Sequence, residues 1–327
     1  MQLLLSCIST RHSVLKKHWT QTGSNDPAQQ ASASAASDAL SCPLTVLGSN
    51  KKPDEDLGGQ ICIIDDLGFT QRPIELSLAA GMTSSEKGVL VTTFSSIHEL
   101  DPLTGTLRQD VVTLPVFNAL HSVSRTRSGY VVASTGVDLI VEFNLQGEIL
   151  WEWWATDHGF AHTPKGELRQ LDKEADQREI KYGTLQQTTH VNSVAELPDG
   201  RFLATLFHQG TVVAIDRETG RWQTVLEGLD HPHSVRILDG QRFSVADTVH
   251  GKALLARLDG QRARVEEEVD AGTSWLQDCS YHPEHDAWVL VDGKQSRLIL
   301  RRGKSGDRAI GQYEFDPEWR LYEAHII

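Results

Sequence analysis

Three short phrases of this chain set histidine close to the dipeptide Ser-Val. They are Ala119-Leu120-His121-Ser122-Val123, His190-Val191-Asn192-Ser193-Val194 and His231-Pro232-His233-Ser234-Val235. A fourth, Gln277-Asp278-Cys279-Ser280-Tyr281, has the same polar start without the histidine. Imidazoles brought together from such phrases could do one of three things. Neutral, they could hold Zn²⁺, Fe²⁺ or Cu²⁺ and leave a position open for water or substrate. One could act as nucleophile or general base while its neighbours stabilise an anion. Protonated, they could simply bind an anionic ligand. His121, His190 and His233 are the candidates for the reacting groups. Asn192, His231, His208, Gln277 and Asp278 are the candidates for contacts to substrate.

Residues so far apart in sequence need a repeating scaffold to meet. Aligned on Ser122, Ser193, Ser234 and Ser280, the phrases recur at steps of 71, 41 and 46 residues. Two of these match the period of about 40–45 of a four-stranded propeller blade. The long step carries residues 157–187, an insertion rich in charge and Gln, expected over one mouth of the channel. After His190 the pattern reads strand 192–197, turn Pro198-Asp199-Gly200, strand 201–207, strand 211–216, turn Glu218-Thr219-Gly220 and strand 222–226. Gly and Asp supply the turn geometry. The same grammar recurs from Ser128-Gly129, from Asp239-Gly240 and, without histidine, over 76–112. Strands at 3–8 and 60–65, a turn at Leu67-Gly68 and a closing strand at Arg320-Leu321-Tyr322-Glu323-Ala324 complete the ring. The expected fold is all-β: one six-bladed β-propeller over 1–327, of four-stranded antiparallel blades closed by N- and C-terminal strands. A pair of β-sandwiches would show neither the period nor the recurring histidine. Residues 21–56, full of Ser, Ala, Gln and Asn, read as a flexible loop.

The first strand of a propeller blade lines the central channel, so residues at its start converge on the axis. His121, Asn192 and His233 should form one tier. His190 and His231 should lie two residues earlier, on the same side of their strands. The serines follow by one, so alternation turns them away from the channel, to cap backbone groups between blades. No Gly-x-Ser-x-Gly elbow marks a hydrolase serine. Among other candidates, His158 and His162 lie in the insertion and could cover the mouth, His98 should lie off the axis, and His282 and His285 should be exposed. Trp151, Trp153 and Trp154 should pack between blades.

Composition narrows the field. The chain has 44 acidic against 31 basic residues and a net charge of −13, which argues against nucleic acid as a partner. It has no apolar run long enough to span a membrane. Cys7, Cys42, Cys62 and Cys279 are widely spaced with no CxxC, so neither a zinc knuckle nor a dense disulfide framework is expected. Met1-Gln2-Leu3-Leu4-Leu5-Ser6-Cys7 lacks the basic start of a secretory segment, which predicts a first strand and a cytoplasmic location.

The phrases resemble blades of the arylsulfotransferase-like propellers. Thr189-His190-Val191-Asn192-Ser193-Val194 with Val212-Val213-Ala214-Ile215-Asp216 resembles the family's His-x-Asn-Ser blade. His121-Ser122-Val123 with Gly147-Glu148-Ile149-Leu150-Trp151 resembles the blade before it, and His231-Pro232-His233-Ser234 the one after. Arg320-Leu321-Tyr322 resembles the closing strand, and the likeness runs over residues 75–327. It implies an enzyme that moves a sulfuryl group from one phenol to another through a sulfated histidine, with no nucleotide cofactor. His233 would be nucleophile or base, and His121 and His190 would stabilise the anion. Where the family carries Ser-x-Arg, this chain has Thr205-Leu206-Phe207-His208. Two alternatives stand beside this reading. One is a metal-dependent propeller enzyme with Zn, Fe or Cu on His121, His190 and His233. The other is a binding or scaffold propeller without activity. The expected partner is a small-molecule substrate, with neither nucleic acid nor membrane; the sequence does not say whether there are protein partners.

Overall fold

The computed structural model describes residues 2–15, 57–65 and 70–327. The 21–56 loop and the Leu67-Gly68 turn expected from sequence fall outside the described residues. The chain forms six four-stranded antiparallel sheets. Blade 1 is built from both ends of the chain, in the order β24 (Arg320–Ile326), β1 (Leu3–Ser9), β2 (Gln60–Asp65) and β3 (Thr70–Glu75). Blade 2 holds β4 (Met82–Ser84), β5 (Val89–Thr92), β6 (Ile97–Asp101) and β7 (Thr106–Val112). Blade 3 holds β8 (Leu120–Arg125), β9 (Tyr130–Ser134), β10 (Leu139–Phe143) and β11 (Ile149–Trp154). Blade 4 holds β12 (Val191–Glu196), β13 (Phe202–Leu206), β14 (Thr211–Ile215) and β15 (Trp222–Leu226). Blade 5 holds β16 (His233–Ile237), β17 (Arg242–Asp247), β18 (Lys252–Asp259) and β19 (Arg262–Asp270). Blade 6 holds β20 (Leu276–His282), β21 (Ala287–Asp292), β22 (Arg297–Arg302) and β23 (Arg308–Glu314). This is the six-bladed propeller that the repeat predicts.

The middle strands are near-continuous apolar runs, such as Tyr130–Ser134 and Phe202–Leu206, because both their faces are covered by neighbouring blades. The buried hydrophobic residues accordingly fall into six clusters, each spanning two adjacent blades. Trp153 is fully buried against Val191 and Phe202 of the next blade, and Trp151 stacks on Phe202 at 4.8 Å between ring centres. Truncating a buried aromatic of this kind typically costs about 3–5 kcal/mol. Cys7, Cys62 and Cys279 are buried within these layers. Burial pushes Cys7 up to about 12, so it is an inert packing residue.

The 157–187 insertion joins the outer strand of blade 3 to the inner strand of blade 4. It is tied to blade 3 by polar bonds: Asn118 donates to the carbonyls of Gln177 and Ile180, and Arg169 donates to that of Gly136 as well as to Gln186 within the insertion. Among the described residues no helix is long and apolar enough to cross a membrane.

Candidate active site in the central channel

Three inner strands, β8, β12 and β16, are entered through the same local distortion. Ala119, His190 and His231, one or two residues before the strand, have positive φ angles of 49°, 48° and 57°. An L-residue adopts this region only where its surroundings hold it there. A bulge follows in β8, β12, β16 and β20, between Leu120 and Val123, Val191 and Ser193, His233 and Arg236, and Leu276 and Asp278. A bulge breaks alternation, so two consecutive residues can face one side. The cavity in the channel is therefore walled by pairs: His121-Ser122, Asn192-Ser193, His233-Ser234, Gln277-Asp278 and Tyr322-Glu323. The space among them is about the size of one water.

This corrects two expectations. The serines do not turn away from the channel, although two of them also link blades. Ser193 Oγ accepts the Val235 N–H at 2.9 Å, and Ser234 donates to Asp278 and, at 3.2 Å, to the Cys279 carbonyl. The fourth phrase is also shifted. The pair equivalent to His233-Ser234 is Gln277-Asp278, not Cys279-Ser280. In blade 2 the corresponding residue is Gly81. A Cβ there would lie 2.6 Å from the His121 carbonyl oxygen, so the approach of β8 admits no side chain at that place.

The local fold also sets the imidazole tautomers. His121 Nδ1 lies 2.8 Å from the Ala119 carbonyl, and His233 Nδ1 lies 3.0 Å from that of His231 and 2.8 Å from the Thr248 hydroxyl, which can accept the same proton. A carbonyl only accepts, so Nδ1 carries the proton in both rings and Nε2 carries the lone pair. His231 Nδ1 is held by the Asp230 carboxylate, and its Nε2 is buried without a protein partner. His190 Nδ1 bonds the Gln187 side chain, and its backbone N–H is held at 2.8 Å by Asp138 of blade 3. His208 is turned the other way, with Nε2 donating to the Thr184 carbonyl at 3.0 Å.

The rings form a chain of contacts. His121 is 5.1 Å from His190 and 5.7 Å from Tyr322, centre to centre. His190 is 5.8 Å from His208. Phe207 packs on His190 at 4.5 Å, on His231 at 4.2 Å and on His233 at 5.4 Å. Trp275 lies 6.1 Å from His233, with the Arg320 guanidinium 5.9 Å from its ring centre. Burial pushes His121 down to about 4 and His233 to about 3, and His190 falls well below the ordinary value. The tier is thus a set of neutral imidazoles at neutral pH.

Below it lies a charged tier that sequence reasoning missed except for Asp278. Arg236 reaches Asp278 at 2.9 Å and Glu323 at 3.1 Å. Asp278 also accepts from Ser234 and from the Ala324 N–H, and Glu323 accepts the Met82 N–H at 2.8 Å. Burial pushes Arg236 down, but the two carboxylates outweigh this and hold its proton firmly. Burial raises Glu323 to about 7, and Asp278 adds to this while Arg236 opposes it. Tyr322 and Glu323 stand in the recognised closing strand. The signal that could have found them is their place in the inner-strand pattern, one blade after Gln277-Asp278.

The remaining candidates lie elsewhere. His158 stacks on Trp153 at 5.0 Å, away from the cavity wall. His162 makes a bridge to Leu168 within the insertion. His98 is buried in β6 against Thr93 and the Asp110 N–H. His282 is half-buried and shares a hydrogen bond with Ser280 at 2.8 Å, whereas sequence placed it in solvent; His285 is exposed. Among the described residues no three His, Cys, Asp or Glu side chains are gathered so as to hold a metal ion. Phe207, packed on His190, His231 and His233, fills space that a shared ligand set would need. As arranged, the donors do not fit the Zn, Fe or Cu site of the alternative reading.

No family model matches this sequence, and no curated protein sequence is similar to it. Solved structures are similar in fold. A chain of the nidogen/laminin complex is 10% identical with a TM-score of 0.59, covering 99% of this chain and 97% of that one. A protein of unknown function from Bacteroides caccae is 14% identical, with a TM-score of 0.55 over 81% of this chain and 93% of its own. The periplasmic gluconolactonase of Pseudomonas aeruginosa is 13% identical, with a TM-score of 0.52 over 82% and 94%. At such identities the likeness concerns the propeller alone; what happens in the channel has to be read from this chain's own side chains.

Proposed function

We propose that this propeller is an arylsulfotransferase-like enzyme that moves a sulfuryl group between small phenolic substrates, with His233 as nucleophile. The observation that carries the reading is the fixed tautomer of His233. Its Nδ1–H is shared between the His231 carbonyl and the Thr248 hydroxyl, so a neutral ring on the cavity wall keeps its Nε2 lone pair. In the first half of the transfer that lone pair attacks the sulfur of an aryl sulfate. The sulfur–oxygen bond to the ring breaks, and the phenolate leaves with the electron pair. In the second half an acceptor phenol oxygen attacks sulfur, and the N–S electrons return to Nε2.

The family's arginine is absent at its usual place, but a cation stands nearby. Arg320 lies close enough to His233 to lower that ring's affinity for a proton. Burial brings Arg320 down to about 10, so it remains charged at neutral pH. It is suited to take the negative charge that builds on sulfuryl oxygens. His121 is neutral until an anion enters; a sulfuryl group beside it would favour its protonation and make its Nε2 a donor, with His190 packed behind it. Trp275 and Tyr322, both half-exposed, offer aromatic faces to a phenol. A sulfuryl group is larger than the cavity, so the wall must widen for it to enter.

The test is phenol release from 4-nitrophenyl sulfate with a second phenol as acceptor. Wild-type protein should turn over, and folded His233→Ala should lose at least about 10³-fold in rate. Acid quenching should trap sulfate on the peptide containing His233. Turnover that survives in His233→Ala removes His233 from the role. No turnover by wild-type protein leaves a binding propeller.

A further inference from the structure

We propose that Glu323 is the proton-transfer residue of this site, giving a proton to the departing phenolate oxygen and taking one from the acceptor hydroxyl. This rests on the sulfuryl-transfer reading. The His233 lone pair can attack sulfur, yet that step supplies no proton to the leaving oxygen. The return step needs a base for the acceptor's proton, and Nε2 is then bonded to sulfur. A second group must therefore carry the proton, and it must touch the same cavity.

Glu323 is placed to do so. It follows Tyr322 in β24, and the irregular pairing of that strand with β1 puts both residues on the cavity wall. Its two hydrogen-bonding neighbours, the Met82 N–H and Arg236, both bind Oε1, which leaves Oε2 as the oxygen to hold a proton. The charged groups packed on it are Arg236 from β16 and Asp278 from β20, with Tyr322 beside it on its own strand. β1 and β4 present only neutral groups, the Ser6 hydroxyl to its backbone and the Met82 N–H to its carboxyl. Two carboxylates thus share one guanidinium. Asp278 is the better satisfied, with Ser234, the Ala324 N–H and Arg236. Glu323 is left as the member that exchanges its proton, consistent with its rise to about 7 by burial. Both forms are then populated at neutral pH, as an acid that must also act as a base requires. Across one cycle the carboxyl loses a proton to the first phenolate and regains one from the second phenol.

The experiment reads the first half-reaction alone, as the single-turnover release of phenol without acceptor, from two donors, 4-nitrophenyl sulfate and phenyl sulfate, in wild-type protein and in Glu323→Gln. The glutamine keeps an acceptor for Met82 and Arg236. Nitrophenolate is a stable leaving group and needs little protonation, whereas phenolate needs it. Glu323→Gln should slow phenyl sulfate by about 10²–10⁴-fold, with a much smaller loss on 4-nitrophenyl sulfate. Equal losses on both donors would mean a structural role and overturn the proposal. No turnover of either ester by wild-type protein would sink the sulfuryl-transfer reading and this role with it. Should Glu323→Gln fail to fold, ¹³C-labelled glutamate in the wild-type protein decides. A buried carboxyl titrating near neutrality supports the role, and its remaining ionised down to pH 5 refutes it.

Discussion

Replacing Asp138 by asparagine tests how a residue outside the channel holds the site in shape. Asp138 is fully buried at the turn between β9 and β10. Its Oδ1 accepts the N–H groups of Thr189 and His190 and the Thr189 hydroxyl, and its Oδ2 accepts the Thr188 N–H, all at 2.8 Å. Arg169, from the insertion, brings its Nε within 3.4 Å of Oδ2, and both side chains are nearly inaccessible to solvent. Asparagine can keep the Oδ1 bonds, but its amide then faces the Thr188 N–H and a guanidinium. One charge-assisted bond is lost, worth about 1.5–3 kcal/mol. A buried cation is also left without its counter-charge, which brings the total to about 3–5 kcal/mol. Denaturant unfolding of Asp138→Asn should show this loss. The double variant Asp138→Asn/Arg169→Met should be less destabilised than the two single losses added together, by about 1 kcal/mol or more, because the orphaned charge is gone. A single-variant loss below about 1 kcal/mol, or strict additivity, would refute the account of how His190 is positioned.

Gly81→Ala should cost about 1–3 kcal/mol, because the new methyl meets the β8 backbone rather than a movable side chain. Thermal or chemical unfolding reads the loss, and the His121 ring signals should shift with it. The imidazoles also set a pH dependence. His121 and His233 ionise near 4 and 3 in the fold but near 6.5 when unfolded, so between those values the unfolded chain binds more protons. Stability should therefore fall as pH drops from about 6.5 toward 3–4 and then level off, and His233→Phe should flatten that slope in unfolding curves taken at successive pH values. Glu323 acts in the opposite sense. Raised to about 7 from 4.5, it costs stability as pH rises through that window, and Glu323→Gln should remove this component.

Much of the scaffold was readable in the sequence. The period, the Gly turns and the apolar runs of the middle strands all follow from one unit repeated around a ring. The closing strand was readable because Arg320–Ala324 completes a sheet whose other strands lie at the opposite end of the chain. The site was only half readable. His121, Asn192, His233, Gln277 and Asp278 do meet in one cavity. His190 and His208 stand behind His121, while His231 is tucked under Phe207. What sequence hid was register. A β-bulge adds one residue without a residue type of its own, so alternation placed Ser122, Ser193 and Ser234 on the wrong side and matched Ser280 where Asp278 belongs. The charged tier was hidden for another reason. Arg236, Asp278 and Glu323 come from three blades, and only Asp278 sits in a repeated phrase.

The strand that closes the ring also carries a wall of the cavity, and this gives the site a mechanical role. β24 is held in blade 1 by its ladder to β1, and Tyr322 and Glu323 face the channel from the irregular stretch of that seam, between the paired Leu321 and Ala324. Peeling β24 away would open the ring and dismantle the cavity in one motion. Any ligand spanning Glu323 and the histidines opposite would then act as a rivet. At a concentration 100 times its dissociation constant it would add about 2.7 kcal/mol to the cost of opening. Occupancy would thus be legible far from the ligand, as slower hydrogen exchange along the β1–β24 seam than in the other blades.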